Sequence, residues 1–258
     1  MYPTLNLALI QTYLHWEKPE ANRKMFEDKI AGISHDVDLI VLPEMFTTGF
    51  TMNPDVIAKE ESEITVQWMH TIAQNNNAAV MGSIVYREED AFYNRLFFVS
   101  PDQEMYTYNK RHTFTLAGEN EVYKAGNQKL IFEYKGFKIC PMICYDLRFP
   151  VWARNTENYD ILIYVANWPK KRINAWDTLL KARAIENMSY SIGVNRSGID
   201  ELGFEYPGHS AIYNVLGEPL VFSRNEEILY AKLHKEHIEN TRNKLKFLED
   251  RDTFNLIK

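Results

Sequence analysis

Residues 36–46, D-V-D-L-I-V-L-P-E-M-F, decide how the chain is read. Four consecutive apolar residues, L-I-V-L, suit a short strand, and a run without alternation suits one covered on both faces. Proline cannot donate to a β-ladder, so the run stops at Pro43. Glu44 is therefore expected just beyond a buried strand end, with apolar residues on either side of it. Upstream, residues 4–11 alternate as a strand does. Residues 18–33 carry Ala21, Met25, Phe26, Ile30 and Ile33 at helical spacing. Downstream, 60–77 reads as a second helix and A-V-M-G-S-I-V-Y as a strand. The order is βαβ-like and predicts a sheet with helices on its outer face.

Further along, strands are expected at 94–100 and 104–109, the second ending at Asn109-Lys110. A polar segment, 111–128, interrupts the pattern. Residues 129–134 and 137–144 then read as a hairpin about Lys135-Gly136, with Cys144 at or just after its end. A short helix at 150–157, a buried strand at 160–166 and a longer helix at 174–189 follow. Strands are expected at 190–195, 209–214, 219–223 and 227–232, then a polar helix and mixed tail from about 235. The hairpin-rich second half suggests two packed sheets with helices outside. Pro141, inside the cysteine strand, predicts a bulge or a locally unpaired position. No repeat, low-complexity tract or linker is present, so residues 1–258 are expected to form one α/β domain.

Composition narrows the function classes. Apolar residues make up 45% and charged residues 25%, a normal globular balance. The net charge is −6 with the two signs interspersed, which argues against a nucleic-acid or anionic-membrane surface. No stretch approaches the length of a membrane span, and M-Y-P-T-L-N-L-A-L-I-Q lacks the basic start of a secretory signal. A cytoplasmic protein is expected. The two cysteines make no disulfide framework. On a strand, Cys140 and Cys144 would lie roughly 13 Å apart, too far to bridge. Reduced thiols in a reducing compartment follow.

The reactive candidates sit at strand ends: Glu44, Lys110 and Cys144 each follow a buried run, and in α/β proteins such ends converge on a crevice. A lone cysteine is more often structural than reactive. Here, however, an apolar run ends at Cys144 with Asp146 and Arg148 close behind, a turn able to aim backbone N–H groups at an oxyanion. A carboxylate can take the thiol proton during attack, although its charge raises the resting thiol pKa. A lysine acts in the opposite sense and steadies the developing oxyanion. A Cys–Glu–Lys group is therefore coherent. A histidine-activated thiol is the rival, with His112 and His209 the best placed among seven histidines.

Three motifs carry a resemblance: L-P-E-M-F-T-T-G-F (42–50), Y-N-K-R-H-T-F (108–114) and I-C-Y-D-L-R-F-P (143–150). In this order and separation they resemble the nitrilase superfamily of carbon–nitrogen hydrolases. N-W-P (167–169) and V-N-R-S-G (194–198) resemble its omega-amidase branch. The resemblance implies a four-layer α-β-β-α sandwich, dimerised through helices. It implies Cys144 as nucleophile, Glu44 as general base, Lys110 and the Tyr145 N–H as oxyanion donors, and no metal or cofactor. A second family glutamate falls on Glu119 or Glu121; the spacing to Gly126 favours Glu119. Phe46 and Phe114 are expected as apolar walls, Asn167 and Trp168 as pocket-shaping residues, and Arg172 as partner to a far carboxylate. In A-R-A-I-E-N (182–187) a structural Arg–Glu pair is expected. The implied substrate is the omega-amide of a dicarboxylic keto acid, such as 2-oxoglutaramate or 2-oxosuccinamate, with a role in methionine salvage. Rivals on the same fold are a carbamoyl amidase, a nitrilase and a non-catalytic binding protein. Phe247, Phe254, Leu256 and Ile257 are candidates for a dimer contact.

Overall fold

The computed structural model describes residues 2–33, 36–57 and 60–256. The first half runs β1 (Thr4–Gln11), α1 (Pro19–Ala31), β2 (Leu39–Val41), α2 (Glu61–Asn76), β3 (Ala79–Glu88), β4 (Ala91–Val99), β5 (Met105–Asn109) and α3 (Glu119–Val122). The second runs β6 (Phe132–Tyr134), β7 (Phe137–Ile143), α4 (Pro150–Ala153), β8 (Ile161–Ala166), α5 (Ile173–Asn187) and β9 (Tyr190–Asn195). It closes with β10 (Ser197–Ile199), β11 (Glu205–Pro207), β12 (Ser210–Tyr213), β13 (Pro219–Ser223), β14 (Glu227–His234) and α6 (Lys235–Leu245).

Two six-stranded sheets result, ordered β14-β1-β2-β3-β4-β5 and β13-β12-β9-β8-β7-β6. Each has a parallel centre, β1-β2-β3 in one and β7-β8-β9 in the other, with antiparallel strands outside. The three residues of β2 show why. Ile40 faces outward with Ala8, Ile10 and Val80, where Phe26 and Ile30 of α1 and Trp68, Met69 and Ile72 of α2 cover them. Leu39 and Val41 face inward with Leu7, Leu9, Met81 and Phe98, into the core shared with the second sheet. A run apolar at every position is thus buried on both faces. Across the sheets, the Phe98 and Phe132 ring centres lie 4.5 Å apart, and Tyr106 stacks on Phe132 at 4.6 Å. On the far side α5 lies on β9. A Cβ on Gly193 would come within 2.4 Å of Leu180 and 2.6 Å of Trp176, so only glycine permits that approach. The layers are α-β-β-α.

Most expected elements form close to their expected limits, and the departures have local causes. The strand expected at 129–134 is confined to Phe132–Tyr134. The hairpin turns at Lys135 (φ 47°) and Gly136 (φ 79°), the two positive φ values of the turn that matches strand twist. Helix α4 stops at Ala153, short of 157, because Asn155 captures the next segment: its Nδ2 donates to the Tyr159 and Asn187 carbonyls and its Oδ1 accepts the Tyr159 N–H. Pro141 needs no bulge. Its strand keeps unbroken register with β8, while on the other side β6 ends opposite Ile139. The last strand returns to pair antiparallel with the first, from Thr4↔His234 to Gln11↔Glu227. Of the tail residues, Phe247, Phe254 and Leu256 are exposed, and Ile257 lies outside the described residues. No helix among the described residues is long and apolar enough to cross a membrane.

Candidate active site

Strand ends from both sheets meet at one cleft. Glu44 follows β2, Lys110 follows β5, Cys144 follows β7 and Asn167 follows β8; Asn94 projects from within β4. Lys110 is the hub. Its Nζ donates to Glu44 Oε1 at 2.8 Å and to the Glu119 oxygens at 3.0 and 2.9 Å. Asn94 Nδ2 donates to the same Glu44 oxygen at 2.8 Å and to Glu119 at 3.2 Å. The other Glu44 oxygen accepts the Asn167 N–H at 2.8 Å, and Asn167 Nδ2 donates to the Glu44 carbonyl at 2.7 Å. Glu44, Lys110 and Glu119 are all at most 1% exposed. Such charges stay buried because each carboxylate oxygen meets donors; removing one partner would leave an uncompensated ion.

Glu119, not Glu121, is the glutamate on Lys110. Gly118, at φ 75°, turns the chain into α3 so that Glu119 enters the cleft, where it also accepts the Phe114 N–H. Glu121 is exposed. The segment then returns along Lys110, whose carbonyl accepts the Gly126 N–H at 2.8 Å. A Cβ on Gly126 would fall 2.2 Å from the Asn109 carbonyl oxygen.

Cys144 stands at the apex of a tight turn. Its φ is 43°, a left-handed conformation that costs a non-glycine residue about 1–3 kcal/mol. Asp146, fully buried, holds the turn. Its carboxylate accepts the Ile143 N–H at 3.1 Å, the Tyr108 hydroxyl at 2.8 Å and the His112 N–H at 2.9 Å. Arg183 adds a bond to the Leu147 carbonyl at 2.5 Å while pairing with Glu186 at 2.8 Å, the expected Arg–Glu pair in A-R-A-I-E-N.

The electrostatics follow from burial and from two carboxylates around one ammonium. Burial pushes the Cys144 thiol well above its ordinary value; the Glu44 charge pushes the same way, against Lys110. The same burial brings the thiol into hydrogen-bonding contact with Glu44. For Lys110, burial pulls the ammonium down, but the Glu119 and Glu44 charges outweigh it and hold it above the usual lysine range. Burial raises the Glu119 carboxyl, with Glu44 adding to the effect and Lys110 opposing it. The two histidines are engaged elsewhere: His112 Nδ1 meets Asp146 at 2.8 Å and His209 Nδ1 meets Asp177 at 2.9 Å.

Above this group opens a cleft of about 550 Å³, mouth included, lined in part by Cys144, Tyr145, Phe114, Asn167, Trp168 and Arg172. These expected residues come together. Phe46 does not join them: its ring lies 5.6 Å from Phe26 and 5.8 Å from Trp68, under the first sheet. Met45, at φ 43°, reverses the chain there, and the aromatic wall comes from Phe50, whose ring stands 5.0 Å from Lys110 Nζ. Asn195 fixes the Asn167–Pro169 loop by accepting the Trp168 N–H at 2.7 Å and donating to its carbonyl at 3.0 Å. Sequence reading missed Asn94, Phe50, Arg148, Phe204 and Tyr206. Phe50 and Arg148 lie inside the quoted motifs without having been assigned to the pocket, and Asn94 left a signal as a lone amide inside the aromatic strand F-Y-N-R-L-F-F.

Residues 6–243 match the carbon–nitrogen hydrolase family. The chain belongs to that family. The hydrolase is 41% identical over 256 residues to the omega-amidase YafV of Yersinia enterocolitica, covering 98% of this chain and 99% of that one. It is 32% identical over 250 residues to a 2-oxoglutaramate amidase of Bacillus subtilis, covering 95% and 96%. In three dimensions it is similar to a CN-hydrolase superfamily protein of Xanthomonas campestris that carries an arsenic adduct in its active site. That match has a TM-score of 0.95 at 37% identity and covers 98% of this chain and 99% of the other. The hydrolase therefore acts on carbon–nitrogen bonds of amides.

Proposed function

We propose that this hydrolase is an omega-amidase that removes the terminal amide of a small dicarboxylic keto acid through a thioester on Cys144. The observation that carries the reading is the shape of the cleft. A buried Glu44–Lys110–Glu119 group adjoins the thiol at one end, and Arg148 and Arg172 line the wall beyond it. Neither guanidinium forms an ion pair among the described residues; Arg148 lies over the Trp168 ring and Arg172 over the Phe114 ring. A substrate with an amide at one end and a carboxylate at the other matches that polarity. The names of the relatives point the same way.

In this mechanism Cys144 Sγ attacks the amide carbon while Glu44 takes the thiol proton. The oxyanion forms against Lys110 Nζ and the Tyr145 N–H, donors already in place before charge develops. Glu44 passes its proton to the amide nitrogen, the carbon–nitrogen bond breaks and ammonia leaves. Water attacks the thioester as Glu44 takes a proton from it, and the carboxylic acid departs with the thiol restored. Glu119 holds Lys110 charged and in place. Phe114, Asn167 and Trp168 shape the space beside the reacting carbon, and Arg172 takes the far carboxylate. We place the enzyme in the cytoplasm, as a homodimer formed through helices with the tail that bears Phe247, Phe254 and Leu256 packed on the partner, and with a role in methionine salvage. A chain ending at residue 245 should elute as a monomer if the tail makes that contact.

The test is ammonia release from 2-oxoglutaramate by the wild type and by Cys144→Ala. The wild type is expected to be active and the variant slower by on the order of 10⁴ or more. A silent wild type that is acylated by nitriles or carbamoyl compounds would move the assignment to another branch of the family.

A further inference from the structure

One side chain outside the cleft lining, His112, is linked through its neighbours to both ends of the cleft. His112 contacts the nucleophile turn through Asp146, as described, with Nδ1 2.8 Å from the carboxylate. Its ring also lies flat on Phe149, 3.7 Å between centres and 4° between planes. From there the contacts continue ring to ring. Phe149 meets Tyr145 edge-on at 5.1 Å, and Tyr145 meets Phe114 at 4.9 Å. The Phe114 face carries the Arg172 guanidinium at 4.9 Å. Arg172 forms no salt bridge or side-chain hydrogen bond with any described residue, so the Phe114 ring is its support; its backbone carbonyl is fixed by Trp168 Nε1 at 2.8 Å. Ring stacking and cation–π contacts each hold geometry by small increments, so losing one link shifts the next.

We propose that His112 is a positioning residue that sets the distance between the nucleophile and the carboxylate-binding cation. Its imidazole N–H side orients the Cys144 turn through Asp146, and its ring face orients Arg172 through the aromatic series. The proposal rests on the reading of Arg172 given above. The two functions of the ring are separable. Asparagine can present an amide donor to Asp146 but has no ring to stack. Phenylalanine keeps a ring but gives Asp146 no donor.

The experiment is steady-state kinetics on 2-oxoglutaramate and on pentanamide, a neutral primary amide of the same chain length. It uses the wild type, His112→Asn, His112→Phe and, as a second break in the stack, Phe149→Leu. His112→Asn and Phe149→Leu should raise KM for 2-oxoglutaramate about tenfold while moving kcat/KM for the neutral amide by no more than about threefold. His112→Phe should lower kcat about tenfold on both substrates and keep the wild-type ratio between them. A purely structural His112 would lower both substrates alike in all three variants, and that result overturns the proposal. If instead the wild type treats the two amides equally, Arg172 has no carboxylate to hold, and the underlying reading fails first.

Discussion

The two ends of the cleft are built by different forces. At the inner end, Glu44, Lys110 and Glu119 are out of water and locked by hydrogen bonds of 2.8–3.0 Å between opposite charges. At the outer end, Arg148 and Arg172 rest on aromatic faces, and Phe204 is 43% exposed. Charge-assisted bonds in a buried site fix atoms tightly and penalise any loss of a partner. Ring contacts are weaker, less directional and tolerant of small shifts. Chemistry that moves protons between fixed atoms needs the first kind of construction. Recognition of one substrate's far end can be retuned with the second.

Four substitutions test that contrast, the largest effect first. Glu44→Gln should lower kcat by about 10³, the value of a positioned proton acceptor. The same change should lower the Cys144 pKa, because the Glu44 charge now holds the thiol up and Lys110 remains to pull it down. The pH dependence of iodoacetamide alkylation reads that shift. A thiol that becomes more acidic while the enzyme becomes inactive would separate base catalysis from thiolate formation. Asn94→Leu removes the donor shared by Glu44 and Glu119, so kcat should fall by about 10- to 100-fold with KM little changed. Arg172→Ala should instead raise KM for the carboxylated amide by about 30-fold, the value of a charged hydrogen bond, and leave a neutral amide near wild type. A kcat effect of Asn94 size at Arg172 would erase the distinction between the two ends. The smallest effect belongs to the rim. Lys170 pairs with Glu205 at 2.7 Å, but both side chains are at least half exposed. Lys170→Ala should change stability by no more than about 0.5 kcal/mol in urea unfolding.

How much of this was legible in the chain depends on the range of the interaction concerned. The run L-I-V-L determined its own strand and the burial of both its faces, because side-chain alternation is a property of adjacent residues. Proline ended it, and the same logic placed Lys110 and Cys144 at strand ends. The three motifs then named the candidate reacting groups, because each motif is local and the proposed chemistry needs particular residue types. Tertiary structure decided the rest. Glu119 and Glu121 are two apart in one polar segment, and only the left-handed Gly118 turns the first into the cleft and leaves the second in water. Phe46 and Phe50 are equally apolar, and the reversal at Met45 sends one under the sheet and the other over Lys110. Asn94 reaches Glu44 from 50 positions away because β4 pairs with β3 and β5, a register set by the whole sheet. Composition and spacing act over a few residues. A site assembled from six separate segments exists only once the two sheets have closed on their common core.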